Sequence, residues 1–136
     1  MRNYHVIVKS PKQVVKRDGS LLPFDYFKIR QAIAKANASV PSETLSDSEL
    51  DGLTAMVVES LDATVNPDVE SIQDIVELVL MENGAPLTAK AYILYRSERT
   101  KRREEKNALM EVFKRLSFSD ASESDMKREN ANVDGN

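Results

Sequence analysis

The chain has 136 residues, enough for one ordinary domain, and 41% of them are hydrophobic, enough to build a core. With 19 basic against 22 acidic residues and a formal charge of −3, it lacks the cationic excess on which non-specific nucleic-acid binding depends. There is no cysteine, which excludes disulfides, thiolate metal sites and thiol chemistry, and the single histidine, His5, reads as a surface residue near a terminus.

No apolar run approaches the roughly 20 residues that span a bilayer, and the N-terminus lacks the apolar segment of a signal peptide. The expectation is a cytoplasmic protein. Residues 1–12 alternate loosely through Tyr4, Val6 and Val8 and end at Pro11, the pattern of an arm or short strand. Residues 13–24 read as a β-hairpin, because Asp18-Gly19 separates two short apolar runs. From Tyr26 to Ala38 the residues Tyr26, Ile29, Ile33 and Ala36 recur at helical spacing, with Asp25 placed as an N-cap. Asn37–Ser46, with Pro41 and several serines, is a loop.

Ser46-Asp47-Ser48-Glu49 fits a capping box and opens a second helix striped by Leu50, Leu53, Val57 and Leu61. Ala63-Thr64-Val65 is β-prone and is expected to add a third strand to the hairpin. Asn66-Pro67-Asp68 then turns into a third helix with the stripe Ile72, Ile75, Val76, Val79 and Leu80, stopped by Asn83-Gly84. A fourth begins near Leu87, passes through Tyr92 and Tyr95 into the charged run 96–106, and carries an apolar patch at 109–116. From Ser117 the composition is too polar to bury a core. The expected architecture is α+β, a small three-stranded β-sheet built on the hairpin and covered by about four helices. The expected layout is an arm over 1–12, a compact domain over 13–99, a charged helical extension over 100–116 and a polar, disordered linker over 117–136.

The candidate site centres on cations. Lys16 and Arg17 enter the Asp18-Gly19 turn, and Lys28 lies in the first turn of a helix, where the dipole and free amides favour an anion. A compact ammonium and a planar guanidinium together suit a triphosphate. The plainer reading of Lys16 and Arg17 is edge-strand protection. Val14 and Ile29 have the aliphatic carbon to flank a purine, and they serve equally as core; Phe24 reads as core. Asp68 suffices as a helix cap, and alternatively it or its neighbours accept the exocyclic amine of adenine. Arg96 and Arg99 reach phosphates only if their helix crosses the notch, and the charge run around them otherwise reads as a solvated face. No catalytic constellation is present in the sequence: no Ser/His/Asp set, no glycine-rich phosphate loop and no metal-ligand cluster.

These blocks, Val14-x-Lys16-Arg17-Asp18-Gly19, Pro23-Phe24, Lys28-Ile29, Asp68-Val69-x-x-Ile72-Gln73-Asp74-x-Val76-Glu77 and Ala89-x-Ala91-Tyr92-Ile93-x-Tyr95-Arg96, together resemble the ATP-cone. This is the allosteric module of many ribonucleotide reductases and of the repressor of their genes. The Arg128–Asn136 stretch, with its Glu-Asn-Ala-Asn, resembles the passage from cone to catalytic domain in anaerobic (class III) ribonucleoside-triphosphate reductases. The repressor carries a zinc ribbon, which a chain without cysteine cannot form. The resemblance implies a regulatory domain that is not itself an enzyme, binding ATP as activator and dATP as inhibitor, with Mg²⁺ as an optional companion.

Carried over by position, Lys16, Arg17 and Lys28 meet phosphates, Val14 and Ile29 flank the base, Asp18 and Gly19 form the turn, and Asp68 or its neighbours read the adenine edge. Arg96 and Arg99 are weaker transfers. Where some aerobic relatives have histidine two residues after the aspartate, this chain has Glu70, whose carboxylate repels phosphate. The implied partners are adenine nucleotides, a reductase catalytic core and other ATP-cones, with no nucleic acid and no membrane. The alternative from another class is a protein-interaction adaptor using the basic helix 96–106 and the apolar patch 109–116.

Overall fold

The computed structural model describes residues 9–127, with side chains to 117. The expected arm through Tyr4, Val6 and Val8, His5, and the Glu-Asn-Ala-Asn stretch lie outside the described residues. Two compact units divide between Arg96 and Ser97.

In the first unit, β1 (Gln13–Val15) and β2 (Leu21–Pro23) pair antiparallel, with Val14 opposite Leu22 and Val15 opposite Leu21. The Gly19 amide donates to the Lys16 carbonyl at 2.9 Å and the Lys16 amide to the Ser20 carbonyl at 2.7 Å, closing a three-residue loop. Gly19 has φ +90°, a left-handed conformation that glycine reaches without steric cost, as this kind of hairpin loop requires. The Asp18 carboxylate accepts from the Ser20 amide and hydroxyl, and those bonds hold its pKa below the ordinary value.

Helix α1 (Tyr26–Ala38) starts where expected, with the Asp25 side chain accepting from the Phe27 amide at 2.9 Å. A short 3₁₀ turn (Pro41–Glu43) leads to α2 (Asp47–Glu59), whose capping box is complete: the Glu49 amide donates to Ser46 Oγ at 3.1 Å, and the Ser46 amide to Glu49 Oε1 at 2.8 Å. Helix α3 (Val69–Glu82) is capped by Asp68, which accepts from the Ser71 amide at 2.8 Å, and it ends at Asn83 before Gly84 (φ +82°). Helix α4 (Pro86–Lys127) contributes its first turns to this unit.

The α+β class and the four helices agree with expectation; the strand count does not. Among the described residues the sheet has two strands. Ala63-Thr64-Val65 forms a turn rather than a third strand, because the Asp62 carboxylate captures the Thr64 amide (2.9 Å) and hydroxyl (2.6 Å), and such local side-chain bonds compete with sheet formation. The hairpin finds its further partner slightly downstream. The Val15 amide donates to the Pro67 carbonyl at 2.9 Å, and Val15 forms a single parallel bridge with Asp68. That bridge ties β1 to the start of α3.

The core lies among α1, α2, α3 and the opening of α4, with Ile33, Val57, Val76 and Leu80 almost wholly buried. Its polar members are satisfied. Asn37 donates to the Glu43 carbonyl (2.6 Å) and to Thr88 Oγ1 (2.9 Å) and accepts from the Leu45 amide (3.0 Å). Glu43 caps α4 from a distance, taking the Leu87 amide on one oxygen (3.0 Å) and the Thr88 amide on the other (2.6 Å). Burial works against that charge, but the bonds from Thr88 and Leu87 hold the carboxyl below its ordinary value.

In the second unit the backbone of α4 is helical to Lys127, across part of the stretch expected to be a linker without structure. Leu109, Met110, Val112, Phe113 and Leu116 are exposed there.

Candidate functional site

Three elements and one tyrosine enclose a cavity of about 240 Å³ beside the hairpin. Val14 of β1 and Lys16, the residue after its end, both line the cavity, and the hairpin register sets Leu22 opposite Val14. Helix α1 and its cap contribute Asp25, Lys28, Ile29 and Ala32, spaced i, i+3, i+4, i+7, so that a single helical face supplies them all. Helix α3 contributes Val69, Ile72, Gln73 and Val76 at the same spacing. Tyr92 of α4 completes the wall; burial pushes its phenol up to about 12, so it stays protonated in neutral solution.

The lining is mostly aliphatic and aromatic, with two ammonium groups, one carboxylate and one amide. At about 240 Å³ the cavity falls just short of the roughly 300 Å³ at which pockets for whole small ligands begin, so it suits the flat, apolar part of a ligand whose charged part lies at the mouth. Among the described residues neither Lys16 nor Lys28 enters a salt bridge. Both charges are therefore available to an anion, and Lys28 also sits in the first turn of α1, which holds no acidic residue.

Of the residues singled out from sequence, Val14, Lys16, Lys28 and Ile29 converge on this cavity. Arg17 does not line it. Its guanidinium pairs with Glu70 Oε2 in the first turn of α3. Arg96 grips the other Glu70 oxygen at 2.5 Å, and also Asp74 (2.9 Å) and Glu77 (2.6 Å), so it serves the acidic face of α3 rather than the cavity. Burial opposes the charge of Arg96, but the bonds to Glu77 and Asp74 leave its pKa raised. Asp18 and Gly19 shape the loop, and Asp68 is spent on capping α3, where the Ser71 bond holds its pKa down. Arg99 belongs to the second unit.

Sequence reasoning missed Glu70 as the link between Arg17 and Arg96. Gln73 of α3 is also among the residues lining the cavity, and its Oε1 is closed off from solvent without a hydrogen-bond partner among the described residues. Phe24 was read as core; it packs against the core and lines the cavity too. Tyr95, on the same helix as Tyr92, is 38% exposed and accepts from Lys35 Nζ at 2.9 Å.

Fold and cavity together describe a small α+β ligand-binding domain with an amphipathic cleft beside its hairpin. The family model of the ATP cone domain matches residues 12–101, and the chain belongs to that family, whose members regulate ribonucleotide reductases by binding nucleotides. It is 48% identical over 103 residues to the vitamin B12-dependent ribonucleoside-diphosphate reductase of Thermoplasma acidophilum, covering 72% of this chain and 13% of that one. Identity to the enzyme of the same name from Mycobacterium tuberculosis is 38% over 113 residues, 82% of this chain and 16% of the relative. The anaerobic ribonucleoside-triphosphate reductase of Salmonella typhimurium is 34% identical over 122 residues, 89% of this chain and 16% of the relative. The chain thus spans less than a fifth of the length of these relatives, which include both anaerobic and B12-dependent enzymes. Among the described residues no helix is long and apolar enough to cross a membrane.

Proposed function

We propose that this chain is a cytoplasmic, non-catalytic regulatory domain that binds ATP as activator and dATP as inhibitor and passes the difference to a ribonucleotide reductase core. The observation that carries this reading is the convergence of Lys16 and Lys28 with Val14 and Ile29 on one cavity. In this account Val14 and Ile29 hold the faces of the adenine, the sugar follows toward the mouth, and the two lysines take the triphosphate with or without Mg²⁺. Arg17 joins them only by exchanging Glu70 for phosphate. Arg96 stays with the acidic face of α3.

The Glu-Asn-Ala-Asn stretch supports an anaerobic parent, whereas the higher identity to B12-dependent enzymes supports a parent of that class. An effector shifts a regulatory equilibrium only through unequal affinity for the competing states, so ATP and dATP must leave the domain presenting different surfaces to the core or to another cone.

Calorimetric titration of the chain with ATP, dATP and GTP tests this. Both adenine nucleotides bind and GTP binds more weakly. Lys16→Glu and Lys28→Glu each weaken ATP by roughly 10- to 100-fold, the range for a lost charge-assisted hydrogen bond. Equal, weak heats for all three nucleotides contradict the proposal. A second reading, a protein-interaction adaptor, draws on the exposed Leu109, Met110, Val112, Phe113 and Leu116 of the second unit. It predicts that charge reversal at Lys16 leaves the function untouched.

A further inference from the structure

Among the described residues the second unit is a single helix, and a lone helix has nothing of its own against which to bury an apolar stripe. It carries one nonetheless. Leu109, Val112, Phe113 and Leu116 recur at i, i+3, i+4, i+7 and so share one face over two turns. Leu109 is 63% exposed, Phe113 62% and Leu116 57%, a contiguous apolar surface of the kind that marks an interaction site. The stripe lies beyond residues 12–101, the part shared with the ATP cone domain, so binding of a nucleotide there does not account for it.

We infer that this helix takes a second copy of the chain, packed antiparallel across Leu109, Val112, Phe113 and Leu116. A two-fold interface must be complementary to itself, and Leu-x-x-Val-Phe-x-x-Leu has the same spacing read from either end. Antiparallel, Leu109 of one copy stands level with Leu116 of the other, and Val112 and Phe113 of both share the central layer, small beside large. Charge sets the direction. About that centre, residues 98–106 stand level with 119–127; the first stretch has five cations against three carboxylates, the second Asp120, Glu123 and Asp125 against Lys127. Antiparallel pairing thus lays a net positive stretch beside a net negative one at both ends of the stripe. Arg102, exposed beside its own-helix partner Glu98 (3.7 Å), is level with Glu123; Glu105 level with Asp120 is the exception. Parallel pairing sets every charge beside its own twin, like against like throughout. The inference is independent of the nucleotide site and needs no ligand.

The test uses the whole chain without nucleotide, in sedimentation equilibrium and in cross-linking. The unsubstituted chain sediments as a dimer whose share rises with concentration. Phe113→Glu alters an exposed side chain, so the first unit stays folded, but it enters the interface twice and raises the dimer dissociation constant by about 100-fold or more. Because the chain has no cysteine, introduced thiols report position cleanly. Chains carrying Arg102→Cys and Glu123→Cys, mixed, are joined by a short bismaleimide. Arg102→Cys alone is not joined, since antiparallel copies hold that position about 30 Å apart along the helices at 1.5 Å per residue. A chain that stays monomeric at every concentration overturns the inference and leaves the stripe to a different protein. A dimer that Phe113→Glu leaves intact overturns it as well and moves self-association to another surface. Arg102→Cys joined to its own twin overturns the antiparallel arrangement.

Discussion

Glu70 holds a guanidinium on each carboxylate oxygen, Arg17 on one and Arg96 on the other. A triphosphate arriving at Lys16 and Lys28 must compete with that carboxylate for Arg17 and tolerate its charge. Glu70→Gln should therefore tighten ATP several-fold while leaving adenosine, which has no phosphate, unchanged; unaltered or weaker ATP binding by calorimetry contradicts this. The pairing explains what was and was not legible at this scale. Lys16 and Val14 are two residues apart, and the pleat sends them to one side, so their joint presence at the cavity follows from strand periodicity. Arg17 lies in the hairpin loop, beyond the reach of the pleat, and pairs with Glu70 instead.

Local chemistry decided where the helices begin. Ser46 and Glu49 satisfy each other's amides within four residues, so the start of α2 could be read from the sequence. Ser46→Ala should cost about 1 kcal/mol of stability, seen as a lower denaturant midpoint with an unchanged slope; an unshifted midpoint contradicts the role given to this cap. The start of α4 depends instead on Glu43, more than 40 residues away in sequence, and no local pattern announces it. The failed third strand has the same origin in reverse. The β-propensity of Ala63-Thr64-Val65 gave way to an Asp62 side chain that folds the segment into a turn, leaving the Val15 bridge at Asp68 as the link between hairpin and α3.

For the molecule as a whole, several carboxylates share one trend. Hydrogen bonds from Ser20, Thr64, Ser71 and Thr88 hold Asp18, Asp62, Asp68 and Glu43 below their ordinary pKa values. The unfolded chain therefore takes up protons before the folded one as pH falls, so these groups stabilise the fold in neutral solution. Their contribution disappears as acid titrates them in the folded state, below about pH 4. Chemical denaturation at pH 7 and at pH 3 should show a clear fall in midpoint, and identical midpoints contradict this reading. The family was legible at this scale because its motifs come from separate elements that meet in space: the hairpin brings Val14 and Lys16, and α1 brings Lys28 and Ile29. The second unit offered no comparable convergence, and its backbone is helical through residues whose polar composition pointed to a linker.

The central claim concerns where one molecule sits, and a crystal structure of the chain with dATP tests it most directly. The base should lie between Val14 and Ile29, and the phosphates should meet Lys16 and Lys28. A nucleotide bound elsewhere on the chain, or an empty cavity at saturating dATP, would contradict the account.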